Sequence, residues 1–257
     1  MMNIKKLKIK VNYLTLYFLL ILFLCGYIKN ALIIFGIVIF HELGHILISI
    51  ILGYKIKSVE LFPFGGITKI DNMYNSSFIN NFLISIMGAL FQCILFIFFK
   101  DSFFIKINFS IMIFNLLPII PLDGSKILFE IYAYFLPFKK VIKYHYLTSF
   151  LFILIYLFLN YKYNFNNYLM ISLFIYKTIE VIKNKSIIYE KFILEKMLYD
   201  INYSKVINKN ELLLNYKKDT KYYYNLNGKI LSDKEYLLGK IKCNKHKFWV
   251  PVKFKLK

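Results

Sequence analysis

The chain contains no arginine; all 34 of its basic residues are lysine, and with 14 acidic residues they leave a formal net charge of +20. Guanidinium forks, which grip phosphates and base edges bidentately, are therefore missing, and nucleic-acid binding is a poor account of the charge. Heavy use of Lys, Asn, Ile, Tyr and Phe indicates a coding bias toward A and T, and the lysines gather in particular loops. Cysteine is scarce as well. Cys25, Cys93 and Cys243 form no CxxC pair and two of them lie in apolar runs, which excludes a disulfide framework and a cysteine zinc site. Polar sequence is itself in short supply: 58% of residues are hydrophobic, 19% are charged, and the mean hydropathy is +0.54. One soluble core of this length has no need of several apolar runs close to bilayer length, so a membrane protein is the first class to test.

The runs follow one another closely. Lys5, Lys6, Lys8 and Lys10 precede an apolar segment from about Val11 to Ile28. No small-residue cleavage pattern follows it, and a retained first span is expected. The second run covers Ala31 to Gly53, and its strongly polar residues are His41, Glu42, His45 and Ser49. A turn-rich stretch, 54–78, holds Pro63, Gly65 and Gly66. The third run covers Ile79 to Phe99. A fourth begins near Phe103, is interrupted by Asn115, Pro118 and Pro121, and continues in a short segment, Leu122 to Leu136. Two more cover about Tyr144–Leu159 and Tyr168–Ile182.

The expected fold class is an all-α polytopic membrane protein with about six transmembrane helices, one broken, and a small cytoplasmic α/β C-terminal region. Residues 1–183 would form the transmembrane core and 184–257 the C-terminal region. Six spans put both termini on one side. Lysines concentrate at the N-terminus, at 54–78, at 139–143 and in the tail, while the loops near 29, 100–106 and 161–167 hold fewer. By the positive-inside rule both termini are cytoplasmic. The tail has 18 lysines and seven acidic residues from 183 onward. Glu190 to Tyr199 reads as a helix, Asn227-Gly228 as a tight hairpin turn between apolar runs, and Ser232 to Glu235 as a capping box.

One motif carries chemistry. His41-Glu42-Leu43-Gly44-His45 is HExxH. On a helix the two imidazoles lie one turn plus about 40° apart and can share one zinc ion; Glu42, rotated by about 100°, can reach a water beside it as general base. The bland alternative is an interhelical hydrogen-bond cluster. Against it stands the cost of polar groups in an apolar span, on the order of 3 kcal/mol for a charge.

A catalytic zinc needs a third protein ligand and an open position. His145 lies just past a basic patch, His246 in the tail, Glu60 in a loop beyond the span, and Glu130 has no supporting motif. Asp123 is better placed. It closes Asn115-Leu-Leu-Pro118-Ile-Ile-Pro121-Leu-Asp123-Gly124, where prolines break the helix, and irregular backbone at membrane depth is tolerated only when protein or a water cavity covers it. Its bland reading is a helix N-cap.

With HExxH in one apolar segment and this NxxPxxxLDG-type motif in a later one, the chain resembles the site-2 protease family of intramembrane zinc metalloproteases. The resemblance implies one zinc ion on His41, His45 and Asp123, Glu42 as catalytic base, and Asn115 as a substrate-aligning residue. Phe62-Pro63-Phe64-Gly65-Gly66 and the tail from Tyr189 to Leu238 are similar to the sporulation branch, the stage IV sporulation protein FB type. This implies a hairpin at Phe64, Gly65 and Gly66 that pairs with an unwound substrate strand. It also implies a sigma-factor precursor as protein substrate in the lipid bilayer; membrane inhibitory partners and a homo-oligomer stay open, and no nucleic acid is expected. Gly88-Ala89 with Gln92 departs from the family's usual Gly-Pro and polar residue. Two other readings stay open. One is a member of another branch that cleaves anti-sigma factors or remnant signal peptides. The other is a non-enzymatic metal-binding membrane protein.

Overall fold

The computed structural model describes residues 8–11, 13, 17, 20, 23–62, 65–70, 74–159, 165–198, 203, 205–209, 216–226, 229–235 and 237. Most of the first apolar run, Phe64, the Asn227-Gly228 turn, Tyr199 and His246 lie outside these residues.

The first long helix, α1, covers Ile28–Ile51. Its 24 residues reach about 36 Å, enough to cross a bilayer. A hairpin of β2 (Ile56–Phe62) and β3 (Gly65–Ile70) follows, and β1 (Lys8–Val11) adds to the other edge of β2 in parallel. The helical core therefore carries a three-stranded sheet, where composition alone suggested only a polar, turn-rich stretch.

Helix α2 (Phe78–Phe98) packs along α1. Gly44 makes this approach possible, because a Cβ there would lie 2.7 Å from Met87 O and 2.9 Å from the Phe91 ring. The interrupted fourth run becomes two shorter helices, α3 (Ser102–Asn115) and α4 (Asp123–Phe135), joined by a loop with a cis Ile120–Pro121 bond. The break follows from the two prolines, which cannot donate a helical hydrogen bond. Next come α5 (Phe138–Leu159) and α6 (Phe165–Lys183). Helix α5 begins six residues before the apolar run does and takes in Lys139, Lys140 and Lys143. Among the described residues α1, α2 and α5 are long and apolar enough to cross a membrane.

Two contacts hold the proline loop. Ile119 and Leu122 are buried with Ile153 of α5 and Ile171 and Phe174 of α6. The Ile120 amide donates to Ser149 Oγ at 3.0 Å, and Ser149 is hydrogen-bonded to Thr178 Oγ1 at 3.1 Å. The Ser149 hydroxyl of α5, itself held by Thr178 of α6, thus satisfies a backbone donor that α3 and α4 leave free.

The tail comprises α7 (Lys185–Leu198) and a second sheet, β4 (Lys205–Lys209), β5 (Thr220–Leu226) and β6 (Lys229–Ser232), in the order β4-β5-β6. Strands β5 and β6 pair antiparallel up to Leu226 and Lys229, leaving a two-residue connection. The capping box forms: the Ser232 amide donates to Glu235 Oε2 at 2.8 Å and the Glu235 amide to Ser232 Oγ at 3.3 Å. The tail shares a core with the helices. Phe138 of α5 stacks on Phe192 of α7 with ring centroids 4.0 Å apart, and Tyr216, Tyr222 and Tyr224 bury themselves against them.

Candidate metal centre

Helix α1 buries one polar stripe in an otherwise greasy surface: His41, Glu42 and His45 are each 6% exposed or less. Ser49 continues the stripe but turns away from the chemistry, since its hydroxyl donates to His45 O within the same helix at 2.6 Å. Asp123, the first residue of α4, meets the stripe from the far side of the proline loop. Its Oδ2 lies 2.9 Å from His41 Nε2 and 2.9 Å from His45 Nε2, and the two Nε2 atoms are 3.1 Å apart.

The hydrogen bonds on the other edges of the rings decide what this triangle is. His41 Nδ1 donates to Gln92 Oε1 at 2.9 Å, and His45 Nδ1 donates to Ile84 O at 2.7 Å. In neutral imidazoles those bonds use the only protons, so both Nε2 lone pairs point inward at a carboxylate oxygen. In that state the two nitrogens and the carboxylate oxygen form a group that could hold a metal ion. The spacing suits a tetrahedral ion, whose ligand atoms at bonds of about 2.0–2.1 Å are separated by about 3.3 Å. Glu42 completes the group from one side: one ligand atom each of His41, Glu42 and His45 lies within 4.8 Å of the others.

The surroundings are built for the pair of rings. Helix α2 presents Gly88 to them, and a Cβ there would collide with His45 Nε2 and lie 2.6 Å from His41 Nε2. Gln92 is itself held by α3, donating to Asn108 Oδ1 at 3.2 Å and accepting from Asn108 Nδ2 on its backbone carbonyl at 3.0 Å. The second oxygen of Asp123 accepts from Lys126 Nζ at 2.7 Å. Gly124 lets the loop double back, since a Cβ would run into the Leu116 carbonyl.

The model of peptidase family M50 matches residues 29–105 and 100–157. The chain belongs to peptidase family M50. Among the proteins similar to this M50 member is stage IV sporulation protein FB of Bacillus subtilis (strain 168). It is 35% identical over 144 residues, which are 51% of this chain and 50% of that protein. A Synechocystis protein named as a zinc metalloprotease is 31% identical over 114 residues, 38% of this chain and 30% of that one. The matches thus span half the length of these relatives or less. A solved structure, the site-2 protease from Methanocaldococcus jannaschii, is similar at a TM-score of 0.49 and 21% identity, over 78% of this chain and 96% of that one.

The other candidates of this M50 chain go elsewhere. Glu130 accepts from Lys218 and Asn81. His145 is hydrogen-bonded to the Ser125 backbone and packs edge-on against Phe129, with ring centroids 5.1 Å apart. Asn115 ends α3, half-buried, at the head of the proline loop. Gly65 and Gly66 lie in β3, opposite Phe62 and Leu61. Sequence reasoning missed the work of Gln92, Asn108 and Gly88. A signal was present, because Gln92 and Asn108 are amides inside apolar runs, where a lone polar side chain needs a partner.

Proposed function

We propose that this chain is an intramembrane zinc endopeptidase of the site-2 protease type. The observation that carries this reading is the convergence of His41 Nε2, His45 Nε2 and Asp123 Oδ2 within 3.1 Å of one another, with the Nδ1 of each ring facing a carbonyl oxygen. In this reading they hold one zinc ion. Bound there, zinc supplies Lewis acidity for the hydrolysis of a peptide bond. Glu42 takes the proton of the attacking water and returns it to the departing amine. The Gln92 and Ile84 acceptors fix the histidine tautomers, and Lys126 draws one Asp123 oxygen aside so that the other faces the ion. Asn115 aligns the substrate. The Phe64, Gly65 and Gly66 segment pairs with its unwound strand, since an edge such as β3 gives sequence-tolerant affinity.

The same reading includes six spans, both termini in the cytoplasm, a membrane core at 1–183 and a cytoplasmic docking region at 184–257. Parity supports the topology. Strands β1 and β2 share one sheet, which supports an even number of crossings between them, α1 being one. The similarity to stage IV sporulation protein FB supports a sigma-factor precursor as substrate. Co-expression with such a precursor tests this. Wild type yields a shortened product and Glu42→Gln does not. Equal processing by both would make the chain a metal-binding scaffold. Cleavage of a model signal remnant or an anti-sigma factor, with the precursor left whole, would move it to another branch.

A further inference from the structure

We infer that Lys218, in the tail, is a positioning residue for the metal centre, acting through Glu130 on helix α4. The inference rests on the metal-centre reading and adds that the tail holds the site in register as well as docking substrate.

The contact is a buried ion pair. Lys218 Nζ lies 2.6 Å from both carboxylate oxygens of Glu130, and the two residues are 5% and 6% exposed. Asn81 Nδ2 of helix α2 donates to Glu130 Oε1 at 3.2 Å. Asn81 is fixed in turn, because its Oδ1 accepts from Ser76 Oγ at 2.7 Å and its carbonyl from Ser85 Oγ at 2.9 Å. The pair therefore joins three parts of the molecule: α4, α2, and the turn of the tail that precedes β5.

Those two helices make the metal centre. Asp123 is seven residues before Glu130, two helical turns and about 10.5 Å along the same face of α4. Ile84, Gly88 and Gln92 follow Asn81 on the face of α2 turned toward the histidines. A shift or rotation of α4 against α2 at the Glu130 end moves Asp123 relative to His41 and His45. The Asn81–Glu130 hydrogen bond resists such a shift. The charge of Glu130 supplies that resistance only while Lys218 is opposite it, since a buried carboxylate without its partner draws water or moves toward it. The turn is shaped to deliver the lysine: Asp219 follows it with a φ of 52°, and Thr220 Oγ1 donates to Lys218 O at 3.0 Å.

A tail that only docks substrate would alter KM. A tail that sets α4 alters the metal and the turnover. The test uses the purified full-length chain, loaded with zinc, and measures zinc loss to a chelator together with kcat and KM on a membrane-tethered substrate. Lys218→Met is expected to lose zinc about tenfold faster and to turn over about tenfold more slowly, with KM within about twofold of wild type; perturbed outer contacts of metal ligands act on this scale. Lys218→Met combined with Glu130→Gln removes both charges and is expected to recover most of the zinc retention and kcat, which a docking role would not produce. Lys218→Gln keeps one donor for Glu130 and serves the same comparison if Lys218→Met fails to accumulate. Zinc retention and kcat that stay at wild-type values while KM rises would overturn the inference. A wild-type chain that takes up no zinc would sink the metal-centre reading and this inference with it. A zinc-loaded wild type with indifferent variants would sink the inference alone.

Discussion

Gln92 Oε1 accepts the Nδ1 proton of His41 at 2.9 Å, and through that bond helix α2 sets which nitrogen of a helix α1 residue faces Asp123. Asn108 of α3 braces the same amide, so three helices fix one tautomer. Replacing Gln92 by Leu frees the ring to turn and to place its proton on the wrong nitrogen. The expected result is zinc affinity about 10–100-fold weaker, read by competition with a chelating dye. Gln92→Glu keeps an acceptor at the same place and is expected to bind more tightly than Gln92→Leu.

Ser149 makes a second prediction. Its hydroxyl is the partner of the Ile120 amide in the proline loop, at 3.0 Å and with no exposure. In Ser149→Ala the amide is left in an apolar cluster without a partner, which costs about 1–3 kcal/mol. A lower midpoint of thermal unfolding in detergent is the expected observation. Thr178→Val leaves the Ser149–Ile120 bond in place and should cost less.

If His41, His45 and Asp123 hold a metal as proposed, stripping it should destabilise the protein, because the binding free energy is lost. A ligand present at a thousandfold its Kd adds about 4 kcal/mol. A chelator should therefore lower the unfolding temperature of wild type clearly, and zinc should restore it. In His45→Ala the chelator should change little. A wild type indifferent to chelator would argue against a bound metal.

Lys196 in the tail predicts a pH dependence. Its ammonium group is fully enclosed, 2.8 Å from Asp233 Oδ2, and also donates to Thr220 O. Burial holds its pKa below the ordinary 10.5, with Asp233 and Asp219 opposing the shift without reversing it. Below 10.5 and above the folded value the unfolded chain binds more protons, so stability rises as pH climbs through that window. Lys196→Met with Asp233→Asn should remove the rise seen as pH approaches 10.5 from below. The comparison stops there because burial raises the pKa of Tyr189 and Tyr222, and stability drawn from them is lost at higher pH. Equal slopes for the two proteins would contradict this account.

The apolar runs were legible because the cost of water in a bilayer leaves few other ways to write such a segment; α1 and α2 begin and end within three residues of the expected runs. The meeting of His41, His45 and Asp123 was legible because polar residues inside apolar runs need partners. The lysine-rich start of α5 was not, since charge there hides a helix that continues beyond the apolar run. Gly88 and Gln92 were hidden for a different reason: their meaning lies in which helix they face, and a single sequence does not state that. The Glu130–Lys218 pair spans 88 residues, and no spacing rule links positions so far apart.

The ring stack at Phe138 and Phe192 sets a practical boundary on dissecting the molecule. Tyrosines from the strands of the tail lie over it, so a chain cut short before β4 would leave a bare aromatic surface at the point where α5 starts. Shortened versions made for study should therefore keep everything through Leu237; those ending at residue 183 are expected to clump in detergent even though every apolar run is intact.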